Sequence, residues 1–172
     1  MFNFKKTLVS LAAAATMVCA VAPCSASAVS QAKSLNLPSG YGKLTSNAWR
    51  GGQRASGNTY QWDYQVSAVY TGSKNVKSIR ATWVGSASLR NSASISLGCG
   101  DSVSVGAGSS WQYKNTVSKY WVNTNGAKTS SYRSNMYVTP SRDYRSNTIS
   151  IANTAKVEIK GDPRSWSINA SC

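Results

Sequence analysis

Tyr60-Gln61-Trp62-Asp63-Tyr64-Gln65-Val66-Ser67-Ala68-Val69-Tyr70 is the stretch that decides the fold. Successive side chains of an extended strand point to opposite sides, so Tyr60, Trp62, Tyr64, Val66, Ala68 and Tyr70 share one face. Gln61, Asp63, Gln65 and Ser67 take the other, which is the signature of a half-buried β-strand. Outward from it, Thr71 to Asn75 reads as a turn and Ile79, Ala81 and Trp83 line up on the next strand. Ala93, Ile95, Leu97 and Cys99 alternate with Ser92, Ser94, Ser96 and Gly98, and Val103 and Val105 repeat the pattern. Tyr120 to Thr124 runs into Asn125-Gly126, the dipeptide of two-residue hairpins. Met136 and Val138 precede Pro140, which should stop that strand. Ile149 and Ile151, then Ala155, Val157 and Ile159, form two more runs, and Trp166, Ile168, Ala170 and Cys172 close the chain in phase. No helical stripe interrupts this series. The expected fold is all-β, an antiparallel β-sandwich of about eight to ten short strands.

Before these strands stands an address. Lys5 and Lys6 precede an apolar stretch from Leu8 to Ala22, and Ala26-Ser27-Ala28 offers a cleavage site. Residues 1–28 therefore read as a secretory signal peptide with Val29 as the new N-terminus. The apolar run is short for a bilayer span and is broken by Pro23. Residues 29–57, rich in glycine, read as an irregular N-terminal arm: an ordered arm, an edge strand or a flexible lead-in. Residues 58–172 form the sandwich domain. Export removes Cys19 and Cys24 and leaves Cys99 and Cys172, both on apolar faces, which predicts one disulfide between them.

The 172 residues carry 19 Lys and Arg against 5 Asp and Glu and no histidine, a formal charge of +14. The commonest general base and the commonest metal ligand are thus absent together. The acids are Asp63, Asp101, Asp143, Glu158 and Asp162. A carboxylate-pair hydrolase needs two of them across a cleft, but Asp101 and Asp162 occupy turn positions and Asp63 and Glu158 polar strand faces. A serine nucleophile would need lysine as its base, and Ser30-Gln31-Ala32-Lys33 matches that spacing only beside the cleavage site. No calcium loop or phosphate loop is present. These readings predict a non-enzyme with no metal and no cofactor.

Charge and aromatics remain. Trp49, Arg50, Arg54, Tyr132, Arg133, Tyr144, Arg145, Arg164 and Trp166 are the candidate binding residues. The arginine fork suits phosphate, while Trp and Tyr pair an apolar body with a polar tip. For an exported chain the expected partners are anionic envelope components: teichoic acid, phospholipid or a cell-wall precursor. Nucleic acid ranks below them because export carries the chain away from it. The N-terminal arm offers a protein partner a strand to pair with. The alternating Ser86 to Ser109 segment raises the idea of a pore-forming hairpin. Its runs are short against the roughly nine to eleven residues of a spanning strand, which favours a soluble hairpin.

Val66-Ser67-Ala68-Val69-Tyr70, followed by Gly72-Ser73-Lys74 and Ser78 to Val84, resembles the start of lactococcin-type bacteriocins. These are small, exported, all-β antibacterial proteins of Gram-positive bacteria. The resemblance spans about twenty residues. The chain departs from the group in length, in lacking histidine and in its expected disulfide, and no binding residue carries over. The resemblance implies a secreted, bacteriocin-like antibacterial protein; a non-lethal binding module such as an adhesin, a wall-associated protein or a subunit of a secreted assembly is the alternative.

Overall fold

A computed structural model describes residues 28–90, 93–98, 102–105, 112–140 and 145–172. In chain order the strands are β1 (Val29–Leu37), β2 (Gly42–Ser56), β3 (Thr59–Thr71), β4 (Val76–Arg90), β5 (Ala93–Ser96) and β6 (Ser102–Val105). They continue with β7 (Gln112–Asn115), β8 (Lys119–Asn123), β9 (Thr129–Pro140), β10 (Arg145–Ile159) and β11 (Ser165–Ser171). One antiparallel sheet has the order β1-β2-β3-β9-β5-β6. The other has the order β11-β10-β4-β7, with β8 pairing β4 beside β7. The protein is all-β and two-layered, as its alternation predicts, with eleven strands among the described residues.

The central strands follow the sequence pattern. Trp62, Tyr64, Val66, Ala68 and Tyr70 of β3 are buried, as are Ile79, Ala81 and Trp83 of β4. Ala93, Ile95 and Leu97 are buried too, so the apolar side of β5 is core, not a lipid-facing surface. β9 ends at Pro140, which has no N–H to donate to a ladder. The two runs expected between Ile149 and Ile159 are one strand, β10.

What interrupts the apolar pattern of β10 is Asn153, fully buried between Ile151 and Ala155. Its Nδ2 reaches Ser46 Oγ at 3.0 Å, the Asn47 carbonyl at 3.1 Å and the Ser67 carbonyl at 2.9 Å. Ser46 Oγ in turn donates to the Asn153 carbonyl at 2.9 Å. This polar tie runs from one sheet to the other and separates two apolar clusters. One gathers Trp62, Tyr64, Trp83, Ile95, Leu97, Met136 and Ile151; the other gathers Leu44, Tyr70, Val76, Ile79, Val157 and Ile159. A buried amide without partners would oppose folding, whereas a bonded one fixes which residues face each other.

Residues 29–57 take the strand alternative expected for the arm: β1, at the sheet edge, and β2 pair from Val29↔Arg50 to Leu37↔Gly42 around the short 3-10 turn Pro38–Gly40. A bulge at Gly51-Gly52, between the pairs Arg50↔Tyr64 and Gln53↔Trp62, shifts the side-chain phase of β2. That shift breaks the alternation a sequence reading relies on. Asn125-Gly126 is not a hairpin turn, because β8 belongs to one sheet and β9 to the other. It turns the chain across the sandwich, with Gly126 at φ 85° and Asn125 Oδ1 accepting from the Ala127 N–H at 3.1 Å.

The expected disulfide is not supported: among the described residues no cysteine pair stands at disulfide distance, and the Cys172 thiol is free. Its expected partner, Cys99, lies outside the described residues. Burial pushes the Cys172 thiol above its ordinary pKa, against the opposing pull of Arg50.

Candidate functional site

Four connections meet at one end of the sandwich, because β1, β3, β8 and β10 all run toward it: β1 to β2, β3 to β4, β8 to β9 and β10 to β11. Tight turns set their shape, with Ser39, Gly40, Gly126 and Gly161 all at positive φ. The Lys160 N–H donates to the Asn75 carbonyl at 2.9 Å and ties two of the turns together. Here the rings of Tyr41 and Trp166 meet edge to face at 5.9 Å. Lys74 Nζ stands 5.2 Å from the Tyr41 ring centre and the Arg164 guanidinium 5.3 Å from that of Trp166. Tyr70 Oη donates to the Tyr41 carbonyl and fixes this turn on the core. Lys128 Nζ donates to the Gly72 carbonyl at 2.6 Å and is thereby held at the same end.

Charge at this end is unevenly matched. Asp162 takes both arms of Arg164, at 3.0 and 2.7 Å. The guanidinium hydrogen bonds, chiefly, hold its carboxyl at a pKa of about 2. Lys74, Lys128 and Lys160 are exposed, and among the described residues none of them stands in an ion pair. The result is a lysine fringe around an aromatic pair, able to attract an anionic surface and to rest flat rings against it.

The nine residues singled out in the sequence do not form one site. Trp49, Arg54 and Arg133 lie together on the outer face of the larger sheet, where Trp49 and Arg133 flank Gln65 in register. The Arg133 guanidinium sits 5.5 Å from the Trp49 ring centre, and Arg54 is paired to Asp63 at 2.5 Å. Arg164 and Trp166 belong to the loop end described above. Arg50 is in phase with the buried side of β2, and its Nε is buried without a hydrogen-bond partner. Tyr132 stacks on Trp83 at 4.8 Å and serves the core. Arg145 opens β10 opposite Arg90. Tyr144 lies outside the described residues.

Sequence reasoning missed a second feature. Val117, Tyr120, Trp121 and Val122 are 41%, 57%, 51% and 39% exposed, a run of large apolar groups on the β8 edge. Three consecutive apolar residues without alternation are the available signal.

The three described carboxylates are each engaged by cations and kept apart. Asp63 is on the outer face of the larger sheet with Arg54. Glu158 is on the outer face of the other sheet, 3.0 Å from Lys156 and 3.7 Å from Lys77, and Lys156 chiefly lowers its pKa. Asp162 belongs to Arg164. Asp101 and Asp143 lie outside the described residues. No group of three or more metal-ligating side chains occurs among the described residues. The N-terminal arm is engaged too: β1 is paired along its length with β2, and Gln31 Oε1 accepts the Ser171 N–H at 3.2 Å. Compared with protein-family models and with curated proteins, the chain finds no match.

Proposed function

We propose that this is a secreted cationic antibacterial protein of the bacteriocin kind that docks on the anionic bacterial envelope through the loop end of its sandwich. The observation that carries the reading is the fringe of Lys74, Lys128 and Lys160 around the Tyr41–Trp166 pair. The ammonium groups draw the protein to teichoic acid, phospholipid or a wall precursor, and the rings then seat against it. The described carboxylates are held in ion pairs on separate surfaces, which supports binding over hydrolysis. The lactococcin-like stretch forms β3, the following turn and the first half of β4, and it supports the antibacterial half of the reading.

The test is a killing assay with the Val29–Cys172 chain on Gram-positive and Gram-negative panels, with a membrane-potential dye in each well. Killing of a narrow set of strains supports the proposal. Binding to cells without killing leaves the non-lethal wall-binding module in its place. Exchanging Lys74, Lys128 and Lys160 together for Ser should weaken cell binding by about fivefold per charge near a membrane surface. Undiminished binding of that variant would remove the loop end as the docking surface.

A further inference from the structure

We propose that β8 is a lipid-interface anchor, seating Tyr120, Trp121 and Val122 in the headgroup layer of an anionic phospholipid bilayer. This rests on the envelope-binding reading and narrows its partner to phospholipid. Among the described residues, all but one of the exposed large hydrophobics fall between Val117 and Val122, the exception being Val29. Trp and Tyr in such a cluster match a membrane–water interface, where the ring body is apolar and the N–H or O–H stays wet.

The strand presents these groups edge-on. Tyr120 and Val122 pair with Thr82 and Arg80 on the outer face of the sheet, whereas Trp121 pairs with buried Ala81 and reaches toward Tyr132 at 6.4 Å. A rim with apolar groups to both sides fits a fluid layer that closes around it. Charge agrees with the aromatics. The Arg80 guanidinium lies 3.7 Å from the Tyr120 ring centre, and β8 leads directly into the loop that holds Lys128. Cations thus border the aromatic strand at phosphate height.

A pairing strand from another protein is the competing occupant, and the edge is partly closed to it. Ser130 Oγ donates to the Trp121 carbonyl at 2.8 Å and so takes up a backbone acceptor of β8. Backbone groups of β8 that remain need water, which places the strand among headgroups and not in hydrocarbon.

The experiment uses the Val29–Cys172 chain with vesicles of equal phosphatidylglycerol and phosphatidylcholine, with pure phosphatidylcholine vesicles, and with lipid-free cell-wall fragments. The expected result is binding to the anionic vesicles, lowered about tenfold or more by Tyr120→Ser with Trp121→Ser. Fluorescence quenching by brominated lipid should drop in Trp121→Phe, a variant that keeps an aromatic at the position. Equal melting temperatures show that the variants fold; if the double variant melts early, the quenching of Trp121→Phe decides. Unchanged partition of a folded double variant, or unchanged quenching in Trp121→Phe, overturns the proposal. Binding to wall fragments but not to vesicles overturns it while the envelope reading stands. Binding to neither removes both.

Discussion

The sandwich has two flanks, and they treat the same problem differently. On one, β1 and β11 end their sheets with Ser, Gln, Lys and Asn facing solvent, and the Gln31 side chain accepts the Ser171 N–H across the gap. On the other, β8 ends its sheet with Tyr120, Trp121 and Val122 exposed. Both flanks leave strand edges to be managed. The first does so with small polar groups that water satisfies. The second does so with the Ser130 side chain while keeping its aromatics outside. Edge closure alone therefore does not require the aromatics of β8; contact with another phase explains them.

The comparison can be broken most heavily at its shared frame. Asn153→Ala removes the tie between the sheets and leaves a gap at the buried position, so a loss of about 3 kcal/mol is expected. A thermal melt should show Tm falling by about 10 °C, and a shift under about 2 °C would mean that water replaces the amide. At the next level, Ser130→Ala should cost about 1 kcal/mol, because Ser130 is buried and the Trp121 carbonyl loses its donor. It should also free that edge, so that sedimentation shows more self-association than in the parent chain. Gln31→Ala, on the exposed flank, should change stability by less than about 0.5 kcal/mol. Equal costs at the two positions would end the contrast between the flanks.

The smallest expected effect concerns acid. The Asp162 carboxyl is held at about 2, below its ordinary 3.8, by the Arg164 hydrogen bonds. A depressed folded-state pKa gives stability that is present above the ordinary value and lost as pH falls toward 2. Asp162→Asn should therefore flatten the fall of Tm between pH about 4 and 2. An unaltered acid profile would show that Arg164 and Asp162 are not paired in solution.

The sequence carried the two-sheet architecture wherever one face of a strand is buried. Trp62 to Tyr70 and Ile79 to Trp83 could be read from alternation alone, because burial enforces it. The alternation failed at β2, where the Gly51-Gly52 bulge reverses the phase, and at Asn153, where a polar residue occupies a core position. Asn125-Gly126 fits the local chemistry of a hairpin, but which sheet each flanking strand joins is a long-range matter. The binding residues were the least legible. Proximity along the chain put Arg50 beside Arg54 and Tyr132 beside Arg133, yet Tyr132 and Arg133 face opposite ways as neighbours in a strand, and the Gly51-Gly52 bulge sets Arg50 and Arg54 on opposite faces. The loop-end lysines come from three separate connections that only the topology assembles.

The same topology sets the order in which the protein can acquire its shape. β3 finds its inner neighbour in β9, with Tyr60 opposite Val138, and β4 finds its own in β10, with Ile79 opposite Val157. Until residues 129–159 have been synthesised, the two central strands have apolar faces and no complete sheets to hold them. Closing such distant pairs is slow, on the order of milliseconds to seconds for β-rich domains. The first two-thirds of the chain is thus an open polymer that waits on its final third, and a truncated copy would expose the surface the finished sandwich hides.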